Sequence, residues 1–414
     1  MKRSFMLVFT VLTGVGQALA LLGACASDVS NGAPQPGASE VATTDGQVSE
    51  PDSGLDVEAG PCVDCEYFPE TCSPDVLCLD GPFDPSRVQG DAETFDLRTQ
   101  INVIVGRGTN DVWAAGTVGA LAHFDGSSWT KSGPDTQESL RGLRLFDDGE
   151  LAFGSQMHRV FLHGLDLPDA GTSPDGGWTT VEEIPTPSSY TMFGRLYAFT
   201  SAWAAPGAQW TWCTLSSPHN GSSPRRPTGL WRMRRVPDAA FEIKPALATC
   251  AYPCSSERMA SVHGVSPDVL WAVGSQGAAF LIEGADGDTP HLEALNSLTW
   301  NQLNGVWAAS ESEAWAVGAG GTIRHYTKDS LSAEIVPDVP PNANLRAVWG
   351  TSPSDIWAVG EGSIVLHYDG KSWSRVKIAG LGGRRPDLTT VWTPSPNHVW
   401  IGGQGVILSL GGRP

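Results

Sequence analysis

The chain has 414 residues with 26 Lys or Arg against 45 Asp or Glu, a formal net charge of −19, and it holds 48 Gly, 30 Pro and 16 Trp. That charge argues against nucleic acid as a partner and against general attraction to anionic lipid. Many glycines beside many tryptophans point to short strands, tight turns and bulky packing residues, an all-β profile.

From the N-terminus, Lys2 and Arg3 precede an apolar run from Phe5 to Leu22, weakened as a membrane span by Thr10, Thr13, Gly14, Gly16 and Gln17. The run ends in Leu22-Gly23-Ala24-Cys25, which resembles the lipobox of bacterial lipoproteins. There, small residues admit the signal peptidase and the thiol receives diacylglycerol before cleavage. The resemblance implies that residues 1–24 are a signal peptide and that Cys25 is the lipidated N-terminus. It also implies a cell-envelope location, outer membrane or cell surface, with the lipid as the only membrane link. Residues 25–60 are Ser, Gly, Pro, Ala, Asp and Glu with almost no large apolar side chain. Such a segment cannot offset its ordering entropy and reads as a disordered acidic tether, with a mean reach of roughly 30 Å. Between Ala26 and Gln100 there are 16 acidic residues against two Arg, so much of the negative charge precedes the folded part.

A Cys-rich segment follows over 61–91, with Cys62-x2-Cys65-x6-Cys72-x5-Cys78. Four thiols in a short exported segment suggest two disulfides, with three pairings open. A zinc site is the sharper alternative, and export to an oxidising compartment weighs against it. Cys213, Cys250 and Cys254 bring the disulfide candidates to seven, so one cysteine is left unpaired or bonded to another chain.

The remaining chain, 92–414, repeats itself. In the clearest copy Leu345 to Trp349 is a short strand, Ser352 to Asp355 a turn and Ile356 to Val359 a second strand. Gly360 to Ser363 turns again, Ile364 to Tyr368 is a third strand, and Asp369-Gly370 leads to a fourth at Trp373. The landmark is an aromatic on the second strand, usually in Trp-Ala-Val-Gly. It recurs at Trp113, Trp271, Trp315, Trp357 and Trp400, with degenerate copies at Phe153 and Trp203. The spacings are 40, 50, 68, 44, 42 and 43 residues, so the period is one four-stranded blade, and the two long gaps imply an insertion at about 204–260. Seven landmarks predict a seven-bladed β-propeller of four-stranded antiparallel blades. The last copy has three strands, which leaves an open sheet edge. The alternating segment Thr94 to Arg98 is expected to supply the missing strand and close the ring.

The turns at His123-Phe124-Asp125-Gly126 and His367-Tyr368-Asp369-Gly370, each leading to a Trp, resemble the Asp-box of BNR propellers, a group that includes sialidase-like and photosystem-assembly-like proteins. Each turn is one residue shorter between Asp and Trp than the Asp-box pattern, so it is a variant. The repeat is most similar to the Trp-Ala-Val-Gly repeats of bacterial surface lipoproteins. The resemblance implies the fold and is nearly silent on activity.

A sialidase-like site needs three arginines on a carboxylate, a Tyr nucleophile with a Glu partner and an acid/base Asp. The chain has only six Tyr and no Arg-Ile-Pro opening its first blade. Neither HExxH nor GxSxG occurs. His123, His325 and His367 recur on third strands, and Asp111, Asp268, Glu313 and Asp355 in equivalent turns, a pattern expected of blade scaffolding. The expectation is therefore a non-catalytic, monomeric module that binds a protein or glycan without a cofactor or metal. A glycan-active hydrolase or lyase is the alternative. Arg225, Arg226, Trp231, Arg232, Arg234 and Arg235 in the presumed insertion, with Arg384 and Arg385, are the candidate ligand-binding residues, a basic and aromatic set in an acidic protein.

Overall fold

The computed structural model describes residues 64–84, 93–156, 159–165, 177–182, 184, 198–216, 229–236, 239–246, 258–337, 339 and 342–411. Cys25, the tether, Cys62, Arg225, Arg226, Cys250 and Cys254 lie outside the described residues. The described part falls in one unit, Pro61–Pro414.

Seven four-stranded antiparallel sheets form the unit. Blades 1 to 6 are chain-continuous, opening with first strands Ile101–Gly108, Gly142–Phe146, Ala198–Trp203, Met259–Gly264, Leu303–Ser310 and Leu345–Ser352. Blade 7 opens with Leu388–Ser395. These first strands contact one another in order, and Leu388–Ser395 returns to Ile101–Gly108, so they line the centre of a closed ring. The buried side chains form clusters between neighbouring blades, such as Trp307, Trp315, Leu345 and Leu366 between blades 5 and 6.

An N-terminal strand closes the ring, as expected of a three-strand terminal copy, but it is not the segment 94–98. Leu77–Asp80 pairs antiparallel with Val406–Leu410 and completes blade 7, while Thr94 to Arg98 forms no strand. The reason is burial: Leu77 is fully buried among Ile378, Val406 and Leu408. Asp80 accepts a hydrogen bond from Ser409 Oγ at 2.8 Å. Phe95 in the segment Thr94 to Arg98 packs beside Phe83 against the cluster shared by blades 1 and 7, but is only partly buried there. A strand thus comes from within the stretch assigned to the Cys-rich segment, and the Cys72–Cys78 disulfide fastens its start.

The region 204–260 is not an insertion. Thr211–Ser216, Leu230–Val236 and Ala239–Pro245 are the second, third and fourth strands of blade 3. Trp203 lies on the first strand and pairs with Trp212 on the second, just as Trp349 pairs with Trp357 and Trp307 with Trp315. Trp212 is therefore the landmark of that blade. With it, the two irregular spacings become 59 residues each.

The paired glycines after the second strand have two separate jobs. Gly116, Gly274 and Gly318 are extended, and a Cβ on any of them would collide with the carbonyl oxygen of Gln100, Arg258 or Gln302. Gly119, Gly277, Gly321 and Gly405 have φ between +63° and +71°, where a side chain is strained. Among the described residues no helix is long and apolar enough to cross a membrane.

Candidate binding site in the central cavity

The first strands surround a cavity of about 990 Å³. At its narrow wall, polar side chains are spent on holding blades together. Asn102 Nδ2 donates to Leu140 O at 2.8 Å, Thr200 Oγ1 to Met259 O at 2.9 Å, and Asn304 Nδ2 to Leu345 O at 2.7 Å. Thr389 Oγ1 donates to Ile101 O, so the same latch crosses the seam between the last blade and the first. Each such bond contributes about 1 kcal/mol and fixes the wall.

Aromatic side chains cover another part of the wall. Phe146, Trp203, Trp349 and Trp392 line it together with His263. His263 Nδ1 accepts from Ala308 N at 3.0 Å, which places the proton on Nε2. The imidazole packs edge-on to Trp349 at 4.6 Å, and burial pushes its pKa down to about 3, so it is neutral at ordinary pH. The indoles sit over glycines of the next blade: Trp392 over Gly106, Trp203 over Gly264 and Trp307 over Gly350.

The charged groups on the lining are Arg107, Arg141, Arg144, Arg346, Asp147 and Asp148. Arg107 is held by Asp111 at 2.8 Å and Glu150 at 2.6 Å, and Arg346 is paired with Glu361. Asp147 and Asp148 are consecutive in one turn, and Asp148 faces Arg235 at 3.7 Å. Two carboxylates on opposite sides of the opening, as a glycosidic acid/base pair requires, are not found among the described lining residues.

The recurring histidines build the blades. His123 Nε2 meets Asp111 at 2.9 Å, His325 meets Glu313 at 2.9 Å, and His367 meets Asp355 at 2.8 Å. The same carboxylate oxygens accept from Trp113, Trp315 and Trp357 Nε1. Each imidazole also lies on its indole, with centroids 4.3–4.4 Å apart. Blade 2 keeps the carboxylate and the imidazole, Glu150 and His163 at 2.6 Å. Among the described residues no His, Cys, Asp and Glu cluster is arranged to hold a metal.

The candidate ligand-binding residues divide. Trp231 and Arg232 are buried. Arg232 donates to the carbonyls of Gly287 at 2.5 Å and Asp288 at 2.9 Å. Arg232, Arg234 and Lys244 all stand over Trp210 at 4.4–4.5 Å, and Arg234 pairs with Glu242 at 2.6 Å. This set seals the face of blade 3. Arg235 reaches towards the cavity rim at Asp148. Arg384 donates to Gly405 O at 2.9 Å, and Arg385 lies 3.5 Å over the Phe68 ring, clamping the N-terminal segment. Cys72 and Cys78 are bonded to each other, and Cys65 is disulfide-bonded. Cys213 is a buried free thiol, which removes it from the disulfide candidates, and burial pushes its pKa up to about 12. Sequence reasoning missed Arg144, His263 and Trp349. The signal available was register: each interrupts or extends the inner-strand pattern that the other blades repeat.

A closed ring of seven blades with a latched, part-aromatic central opening defines a β-propeller. No family model matches the chain, and no curated protein matches it. Solved propellers do. YCF48 bound to D1 peptide is 14% identical with a TM-score of 0.54, over 80% of this chain and 98% of that one. Virginiamycin B lyase from Staphylococcus aureus is 13% identical with a TM-score of 0.54, over 75% and 94%. The RRP9 WD40 repeats are 8% identical with a TM-score of 0.51, over 75% and 94%. At such identities the likeness is one of fold alone.

Proposed function

We propose that the chain is a propeller anchored to the cell envelope through a lipid on Cys25, and that it binds an extended segment of a protein partner in its central cavity without chemistry of its own. The observation that carries this reading is the make-up of the cavity wall: the donors of Asn102, Thr200, Asn304 and Thr389 are committed to blade-to-blade bonds, while Phe146, Trp203, Trp349 and Trp392 remain as apolar contact surface. A rigid aromatic wall offers contact area at little entropic cost, and an enzyme would need convergent acid and base groups instead. The peptide in the similar YCF48 structure supports a ligand of this class. The short Asp turns fit a variant Asp-box propeller: Asp125 Oδ1 accepts from the backbone N–H groups of Ser127 and Ser128, and Asp369 Oδ1 from Lys371 and Ser372.

The test is selection of peptides from a displayed random library on the full-length protein, then calorimetry with the selected peptides. Trp349→Ala should weaken binding by about tenfold or more, the effect of losing one buried aromatic contact. Peptides that bind the variant equally well, or a library that yields no binder, would overturn the assignment. For the anchor, Cys25→Ala should abolish palmitate incorporation and release the protein from the membrane fraction. Labelling that persists in the variant would refute it.

A further inference from the structure

The blade repeat places a small residue where the first strand pairs with the position just after the second-strand carboxylate. Gly106 pairs with Val112 after Asp111, Gly350 with Ile356 after Asp355, and Ala308 with Ala314 after Glu313. At Gly106 and Gly350 the reason is visible, because the preceding blade drops Trp392 or Trp307 onto the missing side chain. In blade 2 the corresponding residue, paired with Leu151 after Glu150, is Arg144. Blade 1 makes the room: where the first strands of blades 3, 5, 6 and 7 carry a Trp opposite the landmark, it carries Val105, paired with Trp113. The fold thus closes at this position in blades 1, 5 and 6 with Gly or Ala, and in blade 7 the equivalent residue is the short Thr393, so a long arginine is there for something else.

Arg144 lines the central cavity and is held rigidly. One terminal nitrogen donates to Thr211 Oγ1, the other to Ala208 O at 2.7 Å, and the guanidinium lies 4.4 Å over the Phe146 ring. All these partners are neutral. Among the described residues no carboxylate forms an ion pair with it. Asp286, whose charge reaches it, accepts from Gln209 N at 3.2 Å and Trp210 N at 2.8 Å. Asp148, in the turn that ends the Arg144 strand, faces Arg235. Arg235 adds a second cation 5.8 Å from the same Phe146 ring. Burial pulls the Arg144 pKa down to about 10, which leaves the group charged at neutral pH. A fixed, largely desolvated guanidinium with no carboxylate in contact is costly to keep and favours an anion supplied from outside.

We infer that Arg144 is the carboxylate-binding residue of the cavity, and that the bound segment brings an acidic side chain or a chain terminus to it. This rests on the peptide-binding reading for the source of the carboxylate, not for the preference itself. The preference is measured with simple probes, 4-phenylbutyrate against 4-phenylbutyramide, by calorimetry on the full-length protein. The acid should bind at least tenfold tighter than the amide. Arg144→Gln should abolish that difference, and Arg144→Lys should keep most of it. Equal affinities for acid and amide, or an acid preference intact in Arg144→Gln, would overturn the inference.

Should Arg144→Gln fail to fold, phenylglyoxal modification of the wild-type protein gives the same answer. Peptide mapping should show Arg144 protected by the acid and not by the amide; equal protection refutes the assignment. With selected peptides, a tenfold loss on C-terminal amidation assigns the terminus to Arg144, and a loss on exchanging an internal Glu for Gln assigns a side chain. Acid-selective probes with no peptide binder would sink the peptide reading and leave Arg144 standing. Peptides that bind as free acid and amide alike, with probes showing no acid preference, would do the reverse.

Discussion

At the scale of single residues, one carboxylate does most of the local organising in each of blades 1, 2, 5 and 6. Asp355 accepts from Trp357 Nε1 at 3.0 Å, from His367 Nε2 at 2.8 Å and from the Thr351 hydroxyl. Burial, the largest single influence, raises its pKa, but the bonds from Thr351, His367 and Trp357 together carry it below the usual carboxylate range. Asp355→Ala leaves three donors without their acceptor and should cost about 2–3 kcal/mol, read from denaturant unfolding. A loss under about 0.5 kcal/mol would show that the triad is incidental. His263 titrates in the opposite setting. Its folded pKa, about 3, lies below the unfolded value of 6.5, so the unfolded chain binds the extra proton and stability falls as pH drops from 6.5 towards 3. Asp355 adds its own loss only below about pH 4. Between pH 6.5 and 4.5 the contribution of His263 should approach 1.4 kcal/mol per pH unit, and His263→Gln should remove it while keeping an acceptor for Ala308 N. The same slope in the variant would mean another group is responsible. The role of His123, His325 and His367 was legible in the sequence because they recur in register. His263 was not, because it occupies a place that blades 3, 5, 6 and 7 give to Trp.

At the scale of elements, blade 3 shows why repeats become hard to read. Its landmark Trp212 is followed by Cys213 and Thr214, not Ala-Val-Gly, and Trp203 stands close enough to pass for it. The basic third strand Leu230–Val236 then looks like an insertion, yet it pairs in register with both of its neighbours, and Arg232 and Arg234, two residues apart, share the face over Trp210. Arg232 points into the blade wedge and is 1% exposed, while Arg234 is held at the surface by Glu242. Arg232→Ala would strip the donors from the carbonyls of Gly287 and Asp288 and one cation from Trp210, a loss of about 3 kcal/mol. Arg234→Ala breaks a half-exposed ion pair and should cost about 1 kcal/mol or less. Thermal unfolding of the two variants separates a buried structural arginine from a surface one, and equal effects would contradict the placement. The exposed aromatic that a binding surface would need elsewhere is represented by Trp300, 84% exposed in the loop between blades 4 and 5.

At the scale of the whole molecule, the ring depends on a strand far from the sheet it completes. The sequence showed that the last blade lacks one strand, and therefore that the N-terminal side must supply it. It did not show which segment, because two cysteines within seven residues obscured the Leu77-x-Leu79 alternation beside them. The strand is sewn in on two sides. It pairs with Val406–Leu410, and Leu77 exchanges backbone bonds with Lys377 and Ala379 in the connection between blades 6 and 7. Phe68, clamped by Arg375 and Arg385, holds the chain leading into it. A charge at Leu77 would be buried and unpaired, and its repulsion would free the edge of the C-terminal strand. Leu77→Asp with Leu79→Asp should therefore lower stability by about 5 kcal/mol or more and produce self-association through that edge, seen in size-exclusion chromatography. Phe95→Ala, in the segment that does not pair, should lower stability far less and leave the elution unchanged. Were Phe95→Ala the more damaging change, closure would belong to the loop before blade 1 and not to Leu77–Asp80. Reduction of Cys72–Cys78 should fall between the two, costing about 2 kcal/mol for so short a loop, because it loosens the approach to the strand without removing the buried Leu77 or the partly buried Leu79.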